Sequence, residues 1–276
     1  MRLRFTKMHG AGNDFVVLDG VSQKISLTPD CVRRLADRHF GIGCDQVLLV
    51  EAPGSPSADF RYRIFNQDGS EVENCGNGAR CFAIFVRQHG LTNKNTIKVE
   101  TAAGDLILHV QNSNLVTVNM DVPILEPAAI PFKAAQQAIN YTLVAGGETF
   151  DISAVSMGNP HAITIVDNAD TFDVSYYGAL IEKHPAFPKR VNAGFLEVCS
   201  RKEGKLRVFE RGAGETLACG TGACAAMVAG RLRGLFDYKA HLKLNGGTLT
   251  LQWDGEGKPV MMTGPAQTVF QGQVLL

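Results

Sequence analysis

The chain repeats itself once. Shifted by 144 residues, positions 63–91 fall on positions 207–235 with 10 identities in 29 places and no gap, where chance gives roughly two on average residue usage. The matches include Arg63/Arg207, Phe65/Phe209, Glu71/Glu215, Cys75/Cys219, Gly76/Gly220, Gly78/Gly222, Ala79/Ala223, Arg87/Arg231 and Gly90/Gly234. With small shifts the likeness spreads, setting Gly12-Asn13 opposite Gly158-Asn159, Gln46 opposite Asn192 and Val116 opposite Val260. Two copies are too few for a solenoid, whose units stack in threes or more, so the expectation is two homologous domains facing each other. The proline-containing stretch 122–131 reads as the linker.

Each half reads as strands around helices. In the first, residues 15–19, 46–51, 60–66, 97–101, 106–110 and 116–119 are β-branched or alternating segments of strand length. Thr28-Pro29-Asp30 combines an N-cap, a first-turn proline and an acid matched to the helix dipole, and opens a helix expected to stop near Gly41. The second half answers with a helix around residues 171–184. The segments after the paired cysteines, Cys75-Gly-Asn-Gly-Ala-Arg-Cys-Phe and Cys219-Gly-Thr-Gly-Ala-Cys-Ala-Ala, run into helices that are apolar nearly all round. Such helices are buried, so each domain is expected to wrap its strands around one of them. The fold class is α/β (α+β).

At 276 residues and 45% hydrophobic content the chain can bury two cores. Lys plus Arg equals Asp plus Glu at 27 each, so no net field draws nucleic acid or an anionic membrane, and a small-molecule partner is expected. No apolar run approaches a membrane span and the N-terminus lacks a signal-peptide core, which points to the cytoplasm. Seven cysteines without an export signal argue for reduced thiols rather than a disulfide framework. Cys31, Cys81, Cys199 and Cys224 read as buried apolar filler. Cys44, beside Asp45-Gln46, reads as an oxidation-sensitive thiol near the pocket.

Cys75 and Cys219 differ from the others because each precedes a Gly-x-Gly turn and the two recur together. A helix N-terminus presents backbone N–H groups and partial positive charge, which suits a carboxylate and favours thiolate. Two such motifs related by pseudo-symmetry would set two thiols on opposite faces of one carbon, as inversion of a tetrahedral centre requires. One removes the proton and the other returns one. Zinc is disfavoured by the Cys-x5-Cys and Cys-x4-Cys spacings, whose second members lie inside predicted apolar helices. A phosphate loop is disfavoured by the absence of a P-loop lysine.

The chain resembles the diaminopimelate epimerases over its whole length. The resemblance is carried by Met8-His-Gly-Ala-Gly-Asn-Asp-Phe, Phe65-Asn-Gln-Asp-Gly-Ser, Cys75-Gly-Asn-Gly-Ala-Arg, Gly158-Asn-Pro-His, Glu210-Arg-Gly-Ala-Gly-Glu-Thr and Cys219-Gly-Thr-Gly-Ala-Cys. It implies interconversion of LL- and meso-diaminopimelate without pyridoxal phosphate or metal, feeding lysine and peptidoglycan precursors. It makes Cys75 and Cys219 the acid/base pair and puts the reacting carboxylate on backbone around Gly76-Asn77 and Gly220-Thr221. Asn13, Gln46, Asn66, Asn159, Asn192, Glu210 and Arg211 match substrate-binding positions, and His161 and Glu210 match positions that tune the thiols. It further implies a homodimer of two pseudo-symmetric domains with barrel-like sheets around central helices. Their expected bounds are 1–120 and 121–264, with residues 265–276 returning to the first.

Two other readings make different predictions. A proline or hydroxyproline epimerase shares the two-cysteine idea, but the polar set Asn66, Asn159, Asn192 and Arg211 is excessive for a small ring, since buried polar groups without partners are costly. A non-catalytic anion-binding or redox-sensing protein would show binding or thiol oxidation without exchange of a carbon-bound hydrogen.

Overall fold

A computed structural model describes residues 2–72, 75–102, 104–112 and 114–276. In chain order the elements are β1 (Arg2–Gly10), β2 (Asn13–Asp19), α1 (Pro29–Ala36), β3 (Gln46–Glu51), β4 (Phe60–Asn66), β5 (Glu71–Val72), α2 (Gly76–Gln88), β6 (Thr96–Thr101), β7 (Gly104–Val110) and β8 (Leu115–Asn119). They continue with β9 (Tyr141–Ala145), β10 (Glu148–Ser156), β11 (Pro160–Ile165), α3 (Val174–Glu182), β12 (Asn192–Ser200), β13 (Glu203–Glu210), β14 (Gly214–Thr216) and α4 (Gly220–Leu232). The last are β15 (Lys239–Leu244), β16 (Gly247–Trp253), β17 (Val260–Pro265) and β18 (Gln267–Leu275). The chain divides into two compact units, residues 1–119 with 263–276, and residues 120–262.

In the first unit, β2 lies between antiparallel β1 and parallel β3, and β4 continues from β3 to parallel β6, then β7 and β8. The returning C-terminal strand completes the circuit. β18 pairs antiparallel with β1, and just before it Thr263 shares a 2.7 Å hydroxyl hydrogen bond with Thr117 of β8. Helix α2 packs against β1, β2, β3, β4, β7, β8 and β18 inside this ring. Val16, Leu18, Val47 and Leu49 face the other way, onto Val32, Leu35 and Ala36 of α1. Both faces of β2 and β3 are therefore covered, which is why these strands read as unbroken apolar runs rather than alternating ones.

The second unit follows the same plan. Strands β9 to β13 run in sequence, with β11 parallel to β12 and β13 parallel to β15, and α4 packs against β10, β11, β12, β13 and β16. Stretch 122–131 is not a linker. Ile124 exchanges backbone hydrogen bonds with Ser156 of β10, Met120 and Asp121 do so with Val260 of β17, and Ile130 is fully buried in this unit's core. Its prolines suit an edge segment that lacks regular pairing, while its apolar side chains are drawn inward.

Both central helices are buried along almost their whole length, as their all-round apolar sequence requires. Their small residues are needed for close approach. A Cβ on Gly78 would collide with the Tyr62 hydroxyl beneath it, and one on Gly230 would meet the ring of Phe236. The second glycine of the Cys75-Gly-Asn-Gly turn thus serves packing inside its own domain. Gly78→Ala is expected to destabilise the protein by about 1–3 kcal/mol in urea unfolding, the usual cost of overpacking, and Tyr62→Phe in the same chain should recover part of the loss. An unchanged midpoint would mean that Tyr62 yields freely.

Candidate active site

Both cysteines cap a helix with sulfur. Cys75 and Cys219 sit at the N-caps of α2 and α4 in extended conformation (φ −149°, ψ 112° and φ −117°, ψ 108°), and each Sγ accepts the N–H three residues on, from Gly78 at 3.5 Å and from Gly222 at 3.4 Å. Sulfur takes the part usually played by a Ser or Asp oxygen. Gly76 and Asn77, and Gly220 and Thr221, are the first two residues of α2 and α4, where backbone N–H groups point out of the helix end. These are the positions expected to receive a carboxylate.

In the first unit, Cys75 is half-buried and donates to Asn13 Oδ1 at 3.7 Å. Asn77 Nδ2 donates to the same oxygen at 3.3 Å, so Asn13 is turned toward the α2 N-terminus. Gln46 and Asn66 stand opposite each other on β3 and β4, joined by a 2.9 Å bond from Gln46 Nε2 to Asn66 Oδ1. That leaves Gln46 Oε1 buried with no hydrogen-bond partner among the described residues, an acceptor without a donor there. The set Cys75, Asn13, Gln46, Asn66, Gly76 and Asn77 thus comes from β2, the β3–β4 pair and the α2 N-terminus, all within one unit.

In the second unit the Cys219 thiol is 4% exposed and meets Thr221 Oγ1 at 3.5 Å and the Glu210 carboxylate. Burial pushes this thiol well above its ordinary range, and the Glu210 charge pushes it further; the bonds from Thr221 and the Gly222 N–H oppose them without prevailing. The lowering expected from a helix N-terminus is therefore overcome at Cys219. Glu210 is itself held by the Thr216 hydroxyl, across the β13–β14 turn. Asn159 shares a 2.9 Å bond with His161 Nε2, and Asn192 donates to the Pro160 carbonyl while accepting the Arg211 N–H at 2.8 Å. The exposed Arg211 guanidinium is tethered at one corner to the Lys189 carbonyl.

His161 is fully buried, with its pKa lowered to about 3 by burial and then by the positive charge of Arg211. It is a neutral ring, bonded to Asn159 rather than to the Cys219 thiol. An unfolded chain would bind a proton here near pH 6.5 while the folded one refuses it, so this contribution to stability is complete above about pH 6.5 and is lost as pH falls toward about 3. The urea midpoint should decline across that window, and His161→Gln should flatten the decline. Equal slopes would remove His161 as its source.

The remaining cysteines correct two expectations. Cys44 is wholly buried in the core between α1 and the sheet, and burial raises its pKa to about 12, so it is packing and not a reactive thiol. Cys81 and Cys224 are buried filler, but Cys199 is exposed and Cys31 half-exposed. The repeated Arg and Glu form a clip in each unit, Arg63 to Glu71 at 2.7 Å and Arg207 to Glu215 at 2.6–2.8 Å, tying β4 to β5 and β13 to β14 just before each cysteine. Sequence reasoning missed Asp45, which accepts from Asn13, as well as Thr216 and Arg80. Asp45 carried no motif beyond its place before Gln46.

A sequence model described as diaminopimelate epimerase matches residues 5–126 and 153–269. The chain is 65% identical to the diaminopimelate epimerase of Teredinibacter turnerae over all of both chains, and 59% identical to that of Aromatoleum aromaticum over 99% of each. The chain belongs to the diaminopimelate epimerase family. The family's members are isomerases that epimerise diaminopimelate in lysine biosynthesis without pyridoxal phosphate. Solved structures extend the likeness in fold alone. A hydroxyproline epimerase from Agrobacterium vitis aligns with TM-score 0.70 at 16% identity, covering 99% of this chain and 92% of that one. A phenazine biosynthesis protein of the PhzF family from Bacillus anthracis aligns with TM-score 0.69 at 18% identity over all of both chains. The diaminopimelate epimerase family thus shares its α/β architecture with proteins of other names, and the relatives above 50% identity separate this chain from them.

Proposed function

We propose that the chain epimerises LL- and meso-diaminopimelate by moving one proton off and another onto the α-carbon, with Cys75 and Cys219 as the two acid/base groups. The observation that carries this reading is the repeated sulfur cap. Each cysteine stands beside two backbone N–H groups suited to a carboxylate, and inversion needs one proton acceptor and one donor on opposite faces. The α-hydrogen is very weakly acidic, so the carbanion needs preorganised dipoles, and helix N-termini at the carboxylate supply them. Assignment of base and acid reverses with the direction of reaction.

Asn13, Gln46, Asn66, Asn159, Asn192, Glu210 and Arg211 are proposed to hold the substrate. The orphaned Gln46 Oε1 and the Glu210 carboxylate are acceptors for an ammonium group, and Arg211 offers a fork for the distal carboxylate. His161 contributes by fixing the Asn159 amide. A homodimer is also proposed; β18 exposes Val269, Phe270 and Leu275, apolar surface of the kind that a second copy would cover. A cytoplasmic location suits seven reduced thiols.

The test is incubation of the reduced protein with LL-diaminopimelate in heavy water without pyridoxal phosphate, followed by NMR. Meso product carrying deuterium at the inverted carbon is expected. No exchange by folded, reduced protein would overturn the substrate, and the same assay with proline and hydroxyproline would then decide the nearest rival.

A further inference from the structure

Four side chains of the first unit form a hydrogen-bonded row whose polarity is fixed at both ends. Asp45 Oδ2 accepts from Asn13 Nδ2 at 2.9 Å, Asn13 Oδ1 accepts from Asn77 Nδ2 at 3.3 Å, and Asn77 Oδ1 accepts from Arg80 at 2.9 Å. A carboxylate can only accept and a guanidinium can only donate. Neither amide between them can therefore turn over without setting donor against donor or oxygen against oxygen. The carboxylate end is itself anchored, since Asp45 also accepts the Asp14 N–H at 3.1 Å and pairs with Arg38 at 2.8 Å, while Arg38 and Lys7 hold Asp14. Arg80 is fully buried and ties to the Pro265 carbonyl at 3.2 Å.

We propose that Asp45 is a positioning residue that locks the Asn13 amide with its oxygen, not its nitrogen, against the Cys75 sulfur. The consequence is chemical. An amide oxygen accepts from S–H and repels S⁻, so the lock favours the protonated thiol at Cys75 and keeps it a stronger base once the proton leaves. A turned amide would donate to sulfur and stabilise thiolate. Among the described residues, the other titratable or charged groups around this thiol are Tyr62, whose hydroxyl donates to the Cys75 carbonyl at 3.3 Å, Cys81 on the next turn of α2, and Arg80; Asp14, Arg38 and Lys7 surround Asp45. This inference rests on Cys75 having the acid/base role proposed above.

The experiment compares Asp45→Ala with Asp14→Asn. Each removes one negative charge from the same cluster, but only the first releases the Asn13 amide. The readout is the pH profile of Cys75 alkylation by iodoacetamide, located by peptide mass spectrometry, with circular dichroism confirming folded protein. Asp45→Ala is expected to alkylate roughly threefold faster at neutral pH, the gain of one pKa unit in thiolate fraction less the accompanying loss of nucleophilicity, with Asp14→Asn changing far less. The α-hydrogen exchange of Asp45→Ala should slow. If Asp45→Ala does not fold, Asp45→Asn, which keeps the shape but sets an NH2 against Arg38 or Asn13, should show the same acceleration in weaker form. Equal acceleration in the Asp45 and Asp14 variants, or none at Asp45, overturns the proposal. Because alkylation needs no substrate, failure of the wild-type protein to exchange diaminopimelate would overturn the substrate and leave the lock to be judged on its own.

Discussion

Replacing Cys75 or Cys219 with alanine is expected to abolish meso-diaminopimelate formation in the heavy-water assay, each by at least the 10²–10⁴-fold, roughly, that a positioned acid or base contributes. The two losses should not multiply in the double variant, because either thiol alone cannot complete an inversion. A variant with one thiol can still lift and return a proton on a single face, so slow deuterium uptake with retained configuration would identify the survivor. Alanine also removes the cap of α2 or α4, at a cost of about 0.5–2 kcal/mol. Cys75→Ser and Cys219→Ser keep an acceptor at the cap while removing the thiol, so they separate the two effects. Inversion persisting in either alanine variant would end the two-thiol mechanism.

The second large effect is expected at Glu210. The Cys219 thiol keeps its proton because burial and the adjacent carboxylate both oppose thiolate, and that same carboxylate is the group to which the thiol hydrogen-bonds. Glu210→Gln removes the negative charge, so the thiol should titrate lower than in the parent and alkylate faster at a given pH. It also removes the carboxylate to which the thiol hydrogen-bonds. Epimerisation should fall by about 10²-fold or more on the general-base scale. The pairing of faster alkylation with slower turnover is the signature. A Glu210→Gln enzyme with unchanged turnover and an unchanged Cys219 profile would show that the carboxylate serves only to hold Thr216.

Much of this architecture was legible in the residues. The repeat announced two related units, strands at 46–51 and 60–66 were found to the residue, and Gly- and Ala-rich sequence after each cysteine announced a helix packed on all sides. The N-cap of α1 was read correctly from Thr28 and Pro29, but its end was not. The helix stops at Ala36 because Asp37 takes extended backbone and its carboxylate accepts the His39 and Phe40 N–H groups, closing a turn that a pattern of apolar residues does not reveal. Strand β1 is not legible because Arg2, Arg4 and Lys7 make it resemble a polar terminus, and only pairing with β2 and β18 makes it central. Stretch 122–131 hides its role for the same reason, since Ser156, the partner of Ile124, lies far along the chain.

The site shows the same division. Sequence carried the candidates, the cysteines, the amides and Glu210, in recognisable strings. It did not carry the ionisation of Cys219, where helix N-terminus and burial compete and only coordinates weigh them. Nor did it carry the row from Asp45 to Arg80, whose members come from three segments and whose meaning lies in the direction of each amide.

The sulfur cap has a consequence for how such a protein can change. At Cys75 and Cys219 one atom both starts a helix and is the proposed carrier of the proton, so stronger acceptance by thiolate tightens the first turn at the moment charge develops there. The helix end is then a spring set by protonation, slack with the thiol and taut with the thiolate. Serine at these two positions would keep an acceptor for the cap while removing the thiol, so the architecture could outlast the proposed proton transfer.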